Sequence, residues 1–161
     1  ISRGNWCPLC VAQVRELAAS YRELAAAGAR VVLVSPQPAG ETAKLAERFD
    51  APMDFVVDEG NRAARALGIA DVGGTPAGLG VLGYDSETVL PTVVIVDRDG
   101  VILFSDQTDN YRVRPEPAMY LEVLRETGGM SASLVGRRGG RTRRTGRSGT
   151  PRPVVRCSGE P

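Results

Sequence analysis

The sequence predicts an α/β protein, a central mixed sheet flanked by helices over residues 1–129, followed by a basic tail over 130–161. Three observations carry this reading. A helical pattern with one apolar face is stopped by glycine and followed at once by a β-branched run. A second helix-and-strand unit then repeats that order. Farther on, two more β-branched segments flank a strong hairpin turn. With 161 residues and 42% apolar side chains, one domain with a substantial core is expected.

The first helix spans Cys10–Ala27, with Val14, Leu17, Tyr21 and Leu24 at spacings of three and four and Gly28 as its stop. Arg30–Ser35 (Arg-Val-Val-Leu-Val-Ser) follows as a strand buried on both faces. Gly40–Phe49 reads as a second helix, Leu45 and Phe49 inward and Lys44, Glu47 and Arg48 outward. Phe55–Val57 is a short strand ended by Asp58-Glu59-Gly60; Asn61 caps a short helix through Leu67, which Gly68 terminates. Residues 70–89 show no period and many glycines, and read as a long surface loop. Thr92–Val96 and Val101–Phe104 are strands joined by the turn Asp97-Arg98-Asp99-Gly100. The last helix covers Glu116–Glu126, with Pro115 and Pro117 near its first turn and Met119, Leu121, Val123 and Leu124 as core candidates. From about Met130 onward core formers are nearly absent, and disorder is expected.

Charge separates the two parts. The segment from Ser131 to Pro161 holds eight arginines and one acid, so the remainder is acidic although the whole chain is +1. The tail's charge suits nucleic acid or acidic lipid, but without interleaved aromatics it offers no base-stacking platform, and no specific nucleic-acid partner is expected. No apolar stretch approaches the ~20 residues needed to span a bilayer, so no membrane partner is expected either. No signal peptide is visible, and three cysteines, two of them in a CxxC, suit a reducing, cytoplasmic setting better than a disulfide framework.

The chain has no histidine. This excludes a Ser-His-Asp triad, a Cys-His protease and a His-ligated metal, so any nucleophile must be activated by a helix dipole, positive charge or desolvation. Trp6-Cys7-Pro8-Leu9-Cys10 meets that requirement. Pro8 suits the first position of a helix, which makes Cys7 its N-cap, where free N–H groups stabilise an anion. Cys7 is therefore the expected nucleophile with a lowered pKa, and Cys10 lies one turn on, close enough to attack a sulfur bonded to it. Inert burial of the two thiols is the plain alternative. A zinc site is disfavoured, because about four ligands are needed and Cys157 sits in the tail. Two other patterns are decoys. Gly78–Gly83 fits G-x-G-x-x-G but lacks the strand before and helix after it, and Asp97–Gly100 lacks the spaced ligands of a calcium loop.

The order of elements resembles the thioredoxin superfamily. Arg3-Gly4-Asn5-Trp6-Cys7-Pro8-Leu9-Cys10 is similar to the RGxWCPxC active site of peroxiredoxin-like redoxins of the alkyl hydroperoxide reductase and thiol-specific antioxidant group. Val32–Gln37, Leu90–Gly100 and Asp109–Pro117 match as well, so the resemblance covers nearly all of residues 1–128. It implies a thioredoxin-like fold in which Cys7 is the peroxidatic cysteine, Pro8 the proline after it and Cys10 the resolving cysteine. Trp6 and Thr92 join the substrate-binding surface. Pro91 matches the superfamily proline before the hairpin, usually cis and facing the sulfurs. Arg114 matches the arginine that holds the thiolate ionised, with Arg112 as the alternate.

The implied activity is a thiol peroxidase that needs no cofactor or metal. It reduces hydrogen peroxide or organic hydroperoxides through a Cys7 sulfenic acid and a Cys7–Cys10 disulfide, and is regenerated by a thioredoxin-like protein or a small thiol. A thioredoxin-like thiol–disulfide oxidoreductase and a catalytically silent thioredoxin-fold interaction module are the alternatives. Two departures stand out. Many peroxiredoxins have Thr or Ser where this chain has Gly4. The strand before the active-site loop is reduced to Ile1-Ser2-Arg3, a truncated first strand that would expose its neighbours' edges and invite association, with a homodimer as the simplest form.

Overall fold

The computed structural model describes residues 1–107 and 112–135. In order, the elements are α1 (Pro8–Ala19), α2 (Tyr21–Ala26), β1 (Val32–Ser35), α3 (Ala39–Phe49), β2 (Asp54–Val57), α4 (Arg62–Ala66), β3 (Ala70–Asp71), β4 (Thr88–Val89), β5 (Thr92–Val96), β6 (Ile102–Gln107) and α5 (Pro117–Val135). Short 3-10 turns occupy Glu59–Asn61 and Leu79–Leu82. The expected tail lies outside the described residues from 136 on, although α5 runs past the expected helix end at Glu126.

Parallel and antiparallel pairing are both present, but in three two-stranded pieces where one central sheet was expected. β1 and β2 pair in parallel, with Val32 opposite Asp54 and Ser35 opposite Val57. β5 and β6 form the expected hairpin, Thr92 opposite Gln107, and β3 pairs with β4 across the ends of the long 70–89 loop. The link between the first two pieces is short. Ser2 N donates to Val34 O at 2.8 Å, while Ile1 and Thr92 exchange N–H···O bonds at 2.7 and 3.2 Å. Ile1 and Ser2 thus bridge β1 to β5 at one end of a cleft of about 1170 Å³, whose walls include Val32, Val34, Val94 and Val96.

The core forms on both sides of this bridge. Val14, Leu33, Leu45 and Met53 are buried together, with Leu17, Tyr21 and Phe49 packed around them. Leu24, Tyr120 and Leu121 form a second cluster against Val31, Val93, Ile95 and Phe104. The helical spacing read in the sequence therefore selects the right face of α1 and α3. In α5 it does so for Leu121 and Leu124 but not for Met119, which is 45% exposed. Tyr120 takes the inward position beside Leu121, so its neighbour Met119 turns outward.

Three local expectations change. The single helix over Cys10–Ala27 breaks at Ser20, whose φ −93° and ψ 3° end α1 and begin α2. Asn61 precedes α4 but does not cap it with its side chain. Its Nδ2 donates to Glu87 O, and the capping carboxylate is Asp58, which accepts from Ala63 N at 2.9 Å and Ala64 N at 3.0 Å. A carboxylate there also meets the positive end of the helix. The peptide bond before Pro91 is trans, not cis, since no cis bond occurs among the described residues.

Candidate active site

The active-site loop is shaped by one glycine. Gly4 has φ +116°, and a Cβ there would lie 2.6 Å from Gln37 Oε1. The same Oε1 accepts Asn5 N at 2.8 Å, and Gln37 Nε2 donates to Thr42 Oγ1 at 3.2 Å, so buried Gln37 props the loop against the end of β1. A threonine or serine at position 4 does not fit this geometry, so Gly4 is a backbone requirement here and more than a missing hydroxyl. The Asn5 side chain adds a second tether, its Nδ2 donating to Glu41 O at 2.7 Å. Arg3 reaches the other way, pairing with Asp71 at 2.6 Å, donating to Val89 O at 3.1 Å and lying 5.9 Å over the Trp6 ring.

Cys7 then sits at the N-cap of α1 with φ −95° and ψ 105°, as the motif predicts, and exposed Pro8 opens the helix. Cys10 N donates to Cys7 Sγ at 3.4 Å. Both thiols are unbridged and buried, Cys10 at 1% exposure and Cys7 at 4%.

Arg114 comes from the segment before α5. Its Nη2 lies 3.7 Å from Sγ of Cys10, a hydrogen bond to the second thiol of the motif, where the first was expected. Tyr120 fixes that segment: its hydroxyl donates to Pro115 O at 3.0 Å and accepts from Gln13 Nε2 at 3.4 Å, tying α5 and the arginine to α1. Half-buried Arg114 keeps a buried Nε with no protein partner, and Trp6 Nε1 is in the same condition. Arg112 is exposed, and of the two arginines it is Arg114 that meets a sulfur. Residues 108–111, including the start of the matched stretch Asp109–Pro117, lie outside the described residues.

The donors around the two sulfurs divide the charge unevenly. Cys10 is pulled down from 9.0 to about 6, first by the hydrogen bond from Cys7, then, against burial, by the Arg3 backbone N–H, the Arg114 charge and the Ser2 hydroxyl. Cys7 is pushed up, first by its hydrogen bond with Cys10, then by burial and the Cys10 charge. The expected lowering at Cys7 is therefore found at Cys10. One helix N–H serves Cys7, whereas Cys10 collects a cation and two further donors.

Pro91 and Thr92 are buried where β5 meets Ile1. Thr92 turns its hydroxyl to Leu90 O at 2.9 Å, so it meets the active-site loop through its backbone exchange with Ile1. Sequence reasoning missed Ser2 and gave Gln37 and Tyr120 no role. Gln37 is the one with a local signal, a polar side chain at the end of an apolar strand.

A family model described as the AhpC/TSA family matches residues 1–105. No curated protein matches the chain. Among solved structures, the peroxidoxin BcpB of Mycobacterium tuberculosis is 21% identical with a TM-score of 0.59, covering 74% of this chain and 71% of its own. A putative thioredoxin reductase from Burkholderia cenocepacia is 20% identical with a TM-score of 0.60, covering 75% and 70%. A cysteine-to-serine mutant of peroxiredoxin 6 of Arenicola marina gives a TM-score of 0.63 at 12% identity, covering 81% and 60%. These likenesses bear on the fold, which is thioredoxin-like.

Proposed function

Because the chain belongs to the AhpC/TSA family, we propose that it is a thiol-dependent peroxidase reducing hydrogen peroxide or organic hydroperoxides. The observation that carries the reading is the pairing of an N-cap thiol with a second thiol one turn on, the latter under a buried arginine. Cys7, the less buried sulfur, attacks the distal peroxide oxygen. The O–O bond breaks, an alcohol or water leaves, and Cys7 becomes a sulfenic acid. Cys10 then displaces the sulfenyl oxygen as water and closes a Cys7–Cys10 disulfide, which supplies the redox-active bond of the cycle. The unmatched donors Arg114 Nε and Trp6 Nε1 are available to oxygen atoms that enter beside the sulfurs.

A thioredoxin-like protein or small thiol attacks this disulfide and restores the dithiol. Such a donor suits a cytoplasmic setting. No helix among the described residues is long and apolar enough to cross a membrane. Exposed Val96, Val101 and Ile102 on the β5–β6 hairpin support a homodimer through that face, which sedimentation or gel filtration checks.

The test is peroxide consumption by the reduced chain with a small-thiol reductant. Turnover that disappears in Cys7→Ser supports the reading, and a rate no faster than free cysteine's overturns it. Gly4, which brings no hydroxyl to the site, favours thiol–disulfide exchange as the second reading. Insulin reduction outpacing peroxide consumption on one preparation would select it.

A further inference from the structure

The donors around the two sulfurs point to a division of labour that the sequence motif does not announce. We propose that Cys10 holds the negative charge of the resting thiol pair and is the base that takes the Cys7 proton, before it acts as the resolving sulfur. This rests on the peroxidase reading for its last step only.

The geometry is specific. Arg114 Nη2 is directed at Cys10 Sγ from 3.7 Å, and its segment is held by the Tyr120–Pro115 and Tyr120–Gln13 hydrogen bonds. Ser2 Oγ accepts Gly4 N at 3.2 Å, which leaves the hydroxyl proton free to donate, and it donates to Cys10. The Arg3 backbone N–H is a third donor to the same sulfur, and the Cys7 thiol a fourth. Cys7 receives a single backbone N–H, from Cys10. A thiolate is an acceptor only, and charge-assisted donors stabilise it more than neutral ones stabilise a thiol. The ionisable groups facing Cys10 are the Cys7 thiol on α1, Arg114 before α5 and the Ile1 nitrogen between β1 and β5; no carboxylate is among the groups acting on it.

The proton movements balance. Cys7 passes its proton to the Cys10 thiolate as its sulfur bonds to the distal peroxide oxygen and the O–O bond breaks. The alkoxide leaving group takes that proton back from Cys10 and departs as the alcohol. Cys10, again a thiolate, attacks the sulfenyl sulfur, and hydroxide leaves with a solvent proton as water. Two thiols lose two electrons to the disulfide, and the peroxide gains them. An arginine-held Cys10 thus serves twice, whereas a neutral, buried resolving thiol would need another base, and the chain has no histidine to provide one.

The test uses the full chain in a Cys157→Ser background, so that only the pair titrates. Thiolate ultraviolet absorbance is followed against pH in this parent and with Cys7→Ser or Cys10→Ser added. In Cys7→Ser the signal at neutral pH should persist, the serine hydroxyl replacing the thiol donor. In Cys10→Ser the remaining thiol should titrate about one pH unit or more higher, and its alkylation by iodoacetamide at neutral pH should slow about tenfold or more. Loss of the signal in Cys7→Ser overturns the proposal, as does a Cys10→Ser protein that titrates and alkylates like the parent. Far-ultraviolet circular dichroism confirms that both variants are folded. A parent that behaves as expected here yet consumes no peroxide would fail the peroxidase reading alone and leave the charge placement standing.

Discussion

Replacing Gly4 by alanine puts a methyl group where Gln37 already stands, in a backbone conformation that side chains rarely adopt. At φ +116° the backbone alone should cost about 1–3 kcal/mol for a residue with a Cβ. The new carbon would lie 2.6 Å from Gln37 Oε1, so the amide must swing away. In doing so it loosens the bonds to Asn5 N and Thr42 Oγ1, each worth about 0.5–1.5 kcal/mol net. The sum is about 2–5 kcal/mol, most of the stability margin of a small domain. Urea unfolding of Gly4→Ala, Gln37→Ala and the double variant separates the two parts. Removing the Gln37 amide should lower the cost of Gly4→Ala by about 1–2 kcal/mol without abolishing it, because the backbone strain remains and Cβ of residue 37 is still 3.1 Å away. A Gly4→Ala protein within about 0.5 kcal/mol of wild type would refute the reasoning. An identical cost in both backgrounds would refute its steric half.

The other predictions concern the cap, the arginine support and pH. Asp58→Ala leaves Ala63 N and Ala64 N without their acceptor, and should lower stability by about 1–2 kcal/mol, measured by thermal or urea unfolding; Asn61→Ala should leave α4's start intact, because its side chain bonds Glu87 O instead. Tyr120→Phe keeps the ring against Phe104 but removes the hydroxyl that holds Pro115 O. It should cost about 1 kcal/mol and raise the apparent pKa of the thiolate titration, since Arg114 loses its anchor. The thiol pair makes stability pH-dependent. Cys10 titrates at about 6 when folded against an ordinary 9.0, so the stability it gives is complete above that ordinary value and is lost as pH falls toward 6. Cys7 is raised, so its contribution is present below the ordinary value and lost above it. Melting temperature should therefore rise from about pH 6 toward about 8.5 and fall beyond, and Cys10→Ser should flatten the rising limb.

What the sequence made legible was local. Val14, Leu24 and Leu45 announce their burial through helical spacing, and the Asp97–Gly100 turn is written in four residues, with Gly100 at φ +81° and Asp97 Oδ1 accepting from Asp99 N and Val101 N. Cys7 likewise reaches its N-cap because Pro8 starts the helix beside it. The misses are long-range or competitive. Asn61 is a good cap by composition, but Asp58 reaches the same N–H groups, and a charged acceptor outcompetes an amide there. Ser20 breaks a helix whose apolar spacing continues across it, since Leu17 and Leu24 both pack inward whether or not the backbone bonds run unbroken.

The thiol pair shows where such reading stops for the site itself. A CxxC at a helix start fixes which backbone N–H meets Cys7, because that depends on residues three apart. It does not fix which sulfur meets the cation. Arg114 is separated from Cys10 by 104 positions, and its approach depends on Tyr120 lying across Gln13 and Pro115, a contact between α5 and α1 with no local signature. Ser2 enters through the bridge between β1 and β5, and Gln37 through the end of β1. Each of these residues acts on the motif from a different element, so they set its charge distribution only once the chain has closed around it. The motif therefore specifies the reaction's two sulfurs, and the fold decides which of them bears the charge.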